Sequence, residues 1–187
     1  MRISRANLMT NWTRFSVLAA LVFAVLAYLD YRLKALAGVN TAEMGGFDSK
    51  VQFQAALVVW RPLDVAVRVG FNLGLDYLLM PLYAAAFFYS GVVAAEGLAP
   101  RPSGLRRIIL AMIWVPVIGA MADAVENAVQ LSMLFHGAAD DTFLSVSAIA
   151  NRIKTVALFV GALLFLGAVM ARLQARRSGP TRVGFGD

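Results

Sequence analysis

The chain has 187 residues, of which 60% are hydrophobic and 15% charged, where a soluble domain carries about 25% charged residues. With a strongly positive mean hydropathy, this points to a membrane protein and excludes soluble, disordered, collagen-like and disulfide-scaffold classes. The net charge is +6, there is no cysteine, and His136 is the one histidine, so disulfides, thiolate metal sites, iron–sulfur clusters, c-type haem and two-imidazole mechanisms are excluded.

A hydrocarbon core of about 30 Å takes about 20 residues of apolar helix, and four segments qualify. The first runs from about Trp12 to Leu36 and is uncharged from Phe15 to Leu29. Its basic start, apolar run and Ala35-Leu36-Ala37 triplet also fit a cleaved signal peptide. Asp30, Arg32 and Lys34 interrupt the approach to that triplet, so a retained span is the preferred reading. The link from Gly38 to about Phe71 begins polar and turns apolar from Val51 to Trp60. We expect Val51–Trp60 to be a short helix at the outer interface, anchored by Phe53 and Trp60. A strand or loop packed over the bundle is the competing reading. Pro62 suits the first turn of the next helix, with Gly70 and Gly74 as weak points along it.

The second span runs from about Asn72 to Ala95, the third from Ile108 to about Leu134, and the fourth from about Ile149 to Ala171. Pro81 and Pro116 fall near mid-span and are expected to curve their helices. Small residues such as Ala84, Ala85, Ala86, Gly119, Ala120 and Gly161 allow close helix contact. Residues 1–176 thus read as one all-α domain, a four-helix transmembrane bundle with a partly helical outer loop. Arg177–Asp187, with three glycines and a proline, reads as a disordered tail.

Arginine placement sets the expected orientation. Arg2, Arg5, Arg14, Arg101, Arg106, Arg107, Arg172, Arg176, Arg177 and Arg182 all fall on one side of a four-span arrangement, ten of the 17 basic residues. By the positive-inside rule both termini are cytoplasmic, as in a bacterial inner membrane protein. The basic excess is therefore explained by the bilayer, and no nucleic-acid partner is expected.

The buried charges are the most informative feature. Counted inward from the cytoplasmic boundary, 15 residues precede Asp30, 19 precede Asp76, 15 precede Asp123 and 17 precede Lys154. At 1.5 Å per residue these are depths of about 22–29 Å, so all four helices place their first intramembrane charge in the outer third of the bilayer. The residues also share faces. Asp123, Glu126, Asn127 and Gln130 form one stripe. Arg68, Asn72 and Asp76 are spaced four apart, and Asn151, Lys154 and Thr155 share a third face. A charge in hydrocarbon costs at least about 2.5–3.5 kcal/mol, so the stripes are expected to face one another around a polar pocket. Asp76, Asp123 and Glu126 would oppose Lys154, with Arg152 and Arg68 near the rim, giving a nearly balanced cluster. The competing reading is an ion-pair network that only holds the helices in register; buried ion pairs stabilise poorly compared with apolar packing, which favours a pocket.

Several chemistries lack their residues. There is no ExxH pair for a di-iron carboxylate site, no GxxxxGK[ST] loop, and no HExxH or serine–histidine arrangement within the spans. The CDP-alcohol transferase aspartate series and the two-histidine lipid phosphatase pattern are missing too. No cofactor is expected. Asp76, Asp123, Glu126 and Asn127 offer oxygens to a hard cation, but Lys154 and Arg152 compete for them, so an ion-pair or proton-handling role ranks above a metal. His136, just beyond the third span, reads as a solvated loop residue.

Three fragments also carry a resemblance: Asp76-Tyr77 with Pro81-Leu82-Tyr83, Asp123-Ala124-Val125-Glu126-Asn127, and Asn151-Arg152-Ile153-Lys154. Together, over roughly residues 60–172, they resemble a group of small four-span bacterial integral membrane proteins with a D…DxxEN…RxK pattern. In that pattern threonine commonly stands where this chain has Asn151. The resemblance implies shared architecture and brings no known activity.

The preferred functional reading is a polar pocket, formed by Asp76, Asp123, Glu126, Asn127, Lys154, Arg152, Asn72, Gln130, Asn151 and Arg68, that binds a lipid-like or amphipathic ligand. One alternative is an accessory or scaffold subunit whose polar cluster is structural. Another is a lipid- or isoprenoid-modifying enzyme using Glu126 or Asp123 as acid–base group, with Lys154 stabilising negative charge. The expected partners are membrane lipids, and a membrane protein or a second copy of the chain.

Overall fold

A computed structural model describes residues 4–47, 49–61, 65–98 and 104–177. It has seven helices and no strand among the described residues: α1 (Arg5–Ala37), α2 (Thr41–Met44), α3 (Lys50–Trp60), α4 (Val65–Gly97), α5 (Gly104–Met112), α6 (Val115–His136) and α7 (Asp141–Arg177). Four stretches, namely α1, α4, α5 together with α6, and α7, are long and apolar enough to cross a membrane. The chain is an all-α, four-span integral membrane protein. Arg2, Asp48, Pro62, Arg101 and residues 178–187 lie outside the described residues.

The helices outrun the apolar segments that reveal them. α1 and α4 have 33 residues each and α7 has 37, about 50–55 Å at 1.5 Å per residue. A polar residue on one face does not break a helix; a cap does. The Ser4 hydroxyl accepts the Asn7 N–H at 3.2 Å and starts α1. Asp140 accepts the N–H groups of Thr142 at 2.8 Å and Phe143 at 3.3 Å ahead of α7, and these donors hold its carboxyl below the usual range. That stabilisation is present above the ordinary aspartate range and is lost as pH falls through the lowered value. Gly137, at φ 65°, closes α6 in the left-handed conformation that glycine adopts without a Cβ clash.

The third span is broken, where a single curved helix was expected. α5 stops at Met112 and α6 starts at Val115, which puts Pro116 in the first turn of α6. Proline lacks the N–H and clashes with the carbonyl four residues back, here Met112, where α5 ends. Pro81 lies inside a continuous α4, and that helix also runs unbroken through Gly70 and Gly74.

α4 is the central helix. It packs against α1, α6, α7 and α5, and 50% of its most apolar stretch is buried, against 11% for α1. Small side chains around its circumference permit this: Ala84, Ala86, Ser90, Gly91, Ala94 and Ala95 are all buried. α6 and α7 pair antiparallel across a short turn and touch where Gly119 meets Ala157.

Three apolar clusters are stacked along the bundle. At the end holding the start of α1 and the end of α7, Leu8 and Trp12 pack on Val93 and Ala168. The Trp12 indole donates to the Ser90 hydroxyl at 2.8 Å and meets Phe165, and the Arg172 guanidinium lies over its ring. At mid-height Ala19, Met80, Tyr83, Ala84 and Ala86 form the second cluster. The third, at the opposite or loop end, gathers α3 onto α4, α6 and α7 through Phe53, Leu57, Trp60, Val69, Met133 and Leu144. Phe53 and Trp60 are both 0% exposed, so they anchor α3 to the bundle and not to an interface. They share one helical stripe with Ala56 and Leu57.

A methyl group on Gly119 would overlap the Ala157 Cβ, whereas one on Gly74 meets nothing within 4 Å. Gly119→Ala is therefore expected to destabilise the fold by about 1–3 kcal/mol through overpacking. Gly74→Ala should be neutral or gain up to about 1 kcal/mol of helix propensity. Thermal unfolding in a mild detergent checks this, and equal midpoints for the two variants would contradict the close α6–α7 contact.

Candidate functional site

The polar residues form a layer between the loop-end and mid-height clusters. On α4 the boundary residues are Leu73 and Met80; on α7 they are Leu144 and Leu158. Asp76 and Lys154 fall between them, so the common depth read from hydropathy is a common layer in space.

The layer centres on Lys154 of α7. Its Nζ lies 3.0 Å from Asp123 Oδ1 and 2.6 Å from Glu126 Oε2. The Tyr83 hydroxyl donates to the other Asp123 oxygen at 3.1 Å. Gln130 donates to Glu126 Oε1 at 3.0 Å and to the Ser147 hydroxyl at 3.2 Å. Asn127 donates to Asp76 Oδ2 at 2.9 Å and to the Leu73 carbonyl at 3.3 Å. Asp123, Glu126, Asn127 and Gln130 are all buried. A one-sided stripe on α6 therefore reaches two neighbouring helices: Lys154 and Ser147 on α7, and Asp76 and Tyr83 on α4.

α1 contributes Asp30, which accepts the Asn72 amide at 3.0 Å and the Thr41 hydroxyl. The segment at the loop end covers the layer. Asn151 donates to the Gly45 carbonyl at 3.0 Å, and a Cβ on Gly45 would run into Glu126 Oε1. The close approach of this backbone to a buried carboxylate requires glycine at position 45. An Asn40–Glu43 capping box shapes α2, and Lys34 pairs with Glu43. That hydrogen bond holds the carboxyl of Glu43, which lies outside the spans, below its usual range.

The layer borders a cavity of about 800 Å³ between α1, α2, α4, α6 and α7. One part is lined by Asp30, Asn72, Asp76, Asp123, Glu126, Asn127, Gln130 and Lys154, with Tyr83 beside them. Its apolar lining includes Ala19, Ala20, Phe23, Leu26, Leu79, Phe87 and Leu158. Phe23 is 62% exposed and Tyr31 69% exposed although both line the cavity. The chamber is therefore open along α1 and not sealed.

Seven of the ten residues assigned to the pocket from the sequence line this chamber: Asn72, Asp76, Asp123, Glu126, Asn127, Gln130 and Lys154. Asn151 lies beside it. Arg152 and Arg68 do not reach it, and both are exposed. Two residues of α-helix turn about 200°, so Arg152 points away from Lys154. It borders a second hollow of about 320 Å³ with Val115, Ile118 and Ile153. Arg68 lies two turns from Asp76, beyond the cavity. Without these two arginines the chamber is acidic, not nearly balanced. Asp30, Tyr83, Ser147 and Thr41 join the site in addition. Tyr83 stands seven residues after Asp76, and Ser147 seven before Lys154, spacings that share a helical face. Thr41 opens α2, which at four residues is too short to leave a periodic signal. His136 meets the Ser132 carbonyl of its own helix at 2.7 Å and does not line the cavity. Among the described residues no three His, Cys, Asp or Glu side chains are arranged to hold a metal ion.

No protein-family model, curated protein or solved structure matches this chain.

Lys154→Gln would leave Asp123 and Glu126 without their cation, and breaking a buried pair this way costs about 3–5 kcal/mol. Glu126→Gln leaves the Lys154–Asp123 pair standing and should cost clearly less. The double variant should lose less than the sum of the two. Unfolding midpoints of the three variants test the ordering; a larger loss for Glu126→Gln would reverse the assignment of Lys154 as the hub.

Proposed function

We propose that this protein binds a lipid-like, amphipathic ligand in the open cavity, with the polar head at the Lys154 layer and the chain along the apolar part. The observation that carries this is the division of one continuous chamber of about 800 Å³ into a charged part and a part lined by Phe23, Leu79, Phe87 and Leu158. Its size lies within the ordinary range of ligand pockets, about 300–1,000 Å³. The opening along α1 supports the same reading, because the exposed Phe23 and Tyr31 belong to a span and would meet lipid.

The arginine distribution supports an orientation with both termini in the cytoplasm. The polar layer then sits at the outer-leaflet level. The D…DxxEN…RxK resemblance supports a bacterial inner membrane.

Mass spectrometry of protein extracted from native membranes tests the ligand reading. The wild type should retain a bound amphiphile, and Asp123→Asn should lose it. A folded wild type without any retained amphiphile would count against binding. It would favour the second reading, an accessory subunit with a structural network, which draws support from the internal bonds among Asp123, Glu126, Gln130, Ser147 and Lys154.

Orientation is tested separately. The chain has no cysteine, so single cysteines at Asp140 and Arg177 report topology without background. An impermeant maleimide on whole cells should label position 140 and spare position 177. The reverse pattern would overturn the orientation.

A further inference from the structure

We infer that the head group taken by this cavity is cationic: the ligand class is a single-chain amphiphile bearing an ammonium group. This rests on the reading of the chamber as an amphiphile site and adds the charge of the head.

The argument is one of charge within the chamber. Four carboxylates line it, from Asp30, Asp76, Asp123 and Glu126. Lys154 is already held between Asp123 and Glu126. Lys34, which also lines the chamber, is held by Glu43. Asp30 and Asp76 are served by neutral donors: the Asn72 amide and the Thr41 hydroxyl for one, the Asn127 amide for the other. Among the described residues neither has a salt-bridge partner. Arg68 and Arg152, the cations that sequence spacing offered, are exposed and away from the chamber.

Two carboxylates without a cation in an apolar bundle are costly, and a cation brought by a ligand offsets that cost. An anionic head would add repulsion to the excess already present. Rings also line the same chamber, Tyr31 and Phe23 on α1 and Tyr83 and Phe87 on α4, and aromatic faces attract ammonium groups. The apolar remainder of the chamber accommodates a chain.

The probes are dodecylamine, dodecanol and dodecanoic acid, which share chain length and differ in head charge. The full-length protein is reconstituted in phosphatidylcholine nanodiscs at neutral pH, with empty nanodiscs and the cavity-filling Leu158→Trp variant as references for partitioning. Dodecylamine should bind at least about tenfold more tightly than dodecanol, a difference of about 1.4 kcal/mol. Dodecanoic acid should bind weakest. Asp30→Asn and Asp76→Asn should each reduce the amine preference while leaving dodecanol affinity in place, so the alcohol reports that each variant still folds its cavity.

If dodecylamine and dodecanol bind alike in wild type and both lose affinity in Leu158→Trp, the cationic assignment is overturned and the amphiphile reading stands. A preference that survives both aspartate variants also overturns it, because the charge is then recognised elsewhere. If no probe exceeds the references, the amphiphile reading falls and this inference falls with it.

Discussion

An ammonium group placed between two carboxylates inside an apolar bundle is the interaction on which the arrangement of the spans depends. Each of these charges alone would cost several kcal/mol in a hydrocarbon setting, so Lys154, Asp123 and Glu126 are tolerable only together. Their distances of 3.0 and 2.6 Å require α6 and α7 to lie close and in fixed register. The backbone supplies that one turn away. Gly119 precedes Asp123 by four residues, and Ala157 follows Lys154 by three; these two meet at the helix contact. The small pair sets the spacing and the ion pair sets the register.

The remaining polar groups follow from this pairing. With Glu126 fixed by Lys154 and Gln130, its other flank is free to be covered, and the Gly45 backbone comes against it. With Asp123 fixed, the Tyr83 hydroxyl has an acceptor at the right height on α4. Asn127, one position past Glu126, turns about 100° further round α6 and meets α4 at Asp76 and Leu73. A single stripe on α6 thus binds both neighbouring spans, and α4, packed against every other span, takes the centre of the bundle.

Much of this was legible in the chain. Hydropathy marks the four spans, and because charge is expensive in an apolar span, the first charged residue of each marks one level. Helical periodicity then separates the faces, and it places Asp123, Glu126, Asn127 and Gln130 together. It misleads where spacing is counted without angle or height. Arg152 is two residues from Lys154 and so on another face, and Arg68 shares a stripe with Asp76 but stands two turns away. Asp30 was placed at the right depth, yet its inclusion in the chamber depends on which way α1 is rotated against α4, and α1 has little periodic polarity to show it. The Thr41 and Gly45 contacts come from the four-residue α2 and its cap, where no period exists to read. Pro116 was visible as a perturbation, but a bend and a broken span are distinguished only by whether the helix before it finds a reason to continue.

The looseness of α1 has a structural cause and a consequence for access. Near its start α1 is fastened by the Trp12–Ser90 hydrogen bond and the contacts of Trp12 with Phe165 and Arg172. At its far end it is held by Asp30 to Asn72 and Thr41, and by Lys34 to Glu43. Between these ties its main packing is along α4, and its chamber-lining residues Ala20, Phe23 and Ala27 remain exposed. A helix tied at both ends and open in the middle leaves a side opening at the height of the apolar chains of a bilayer. The α2 segment lies over the loop end, where Thr41 and Ala42 line the chamber. A ligand of the proposed kind would therefore reach the Lys154 layer through the membrane, chain alongside chain, and meet the carboxylates only after leaving the aqueous phase. In that sequence the layer acts on a head group already partly desolvated, where electrostatic complementarity counts for more than it does in water.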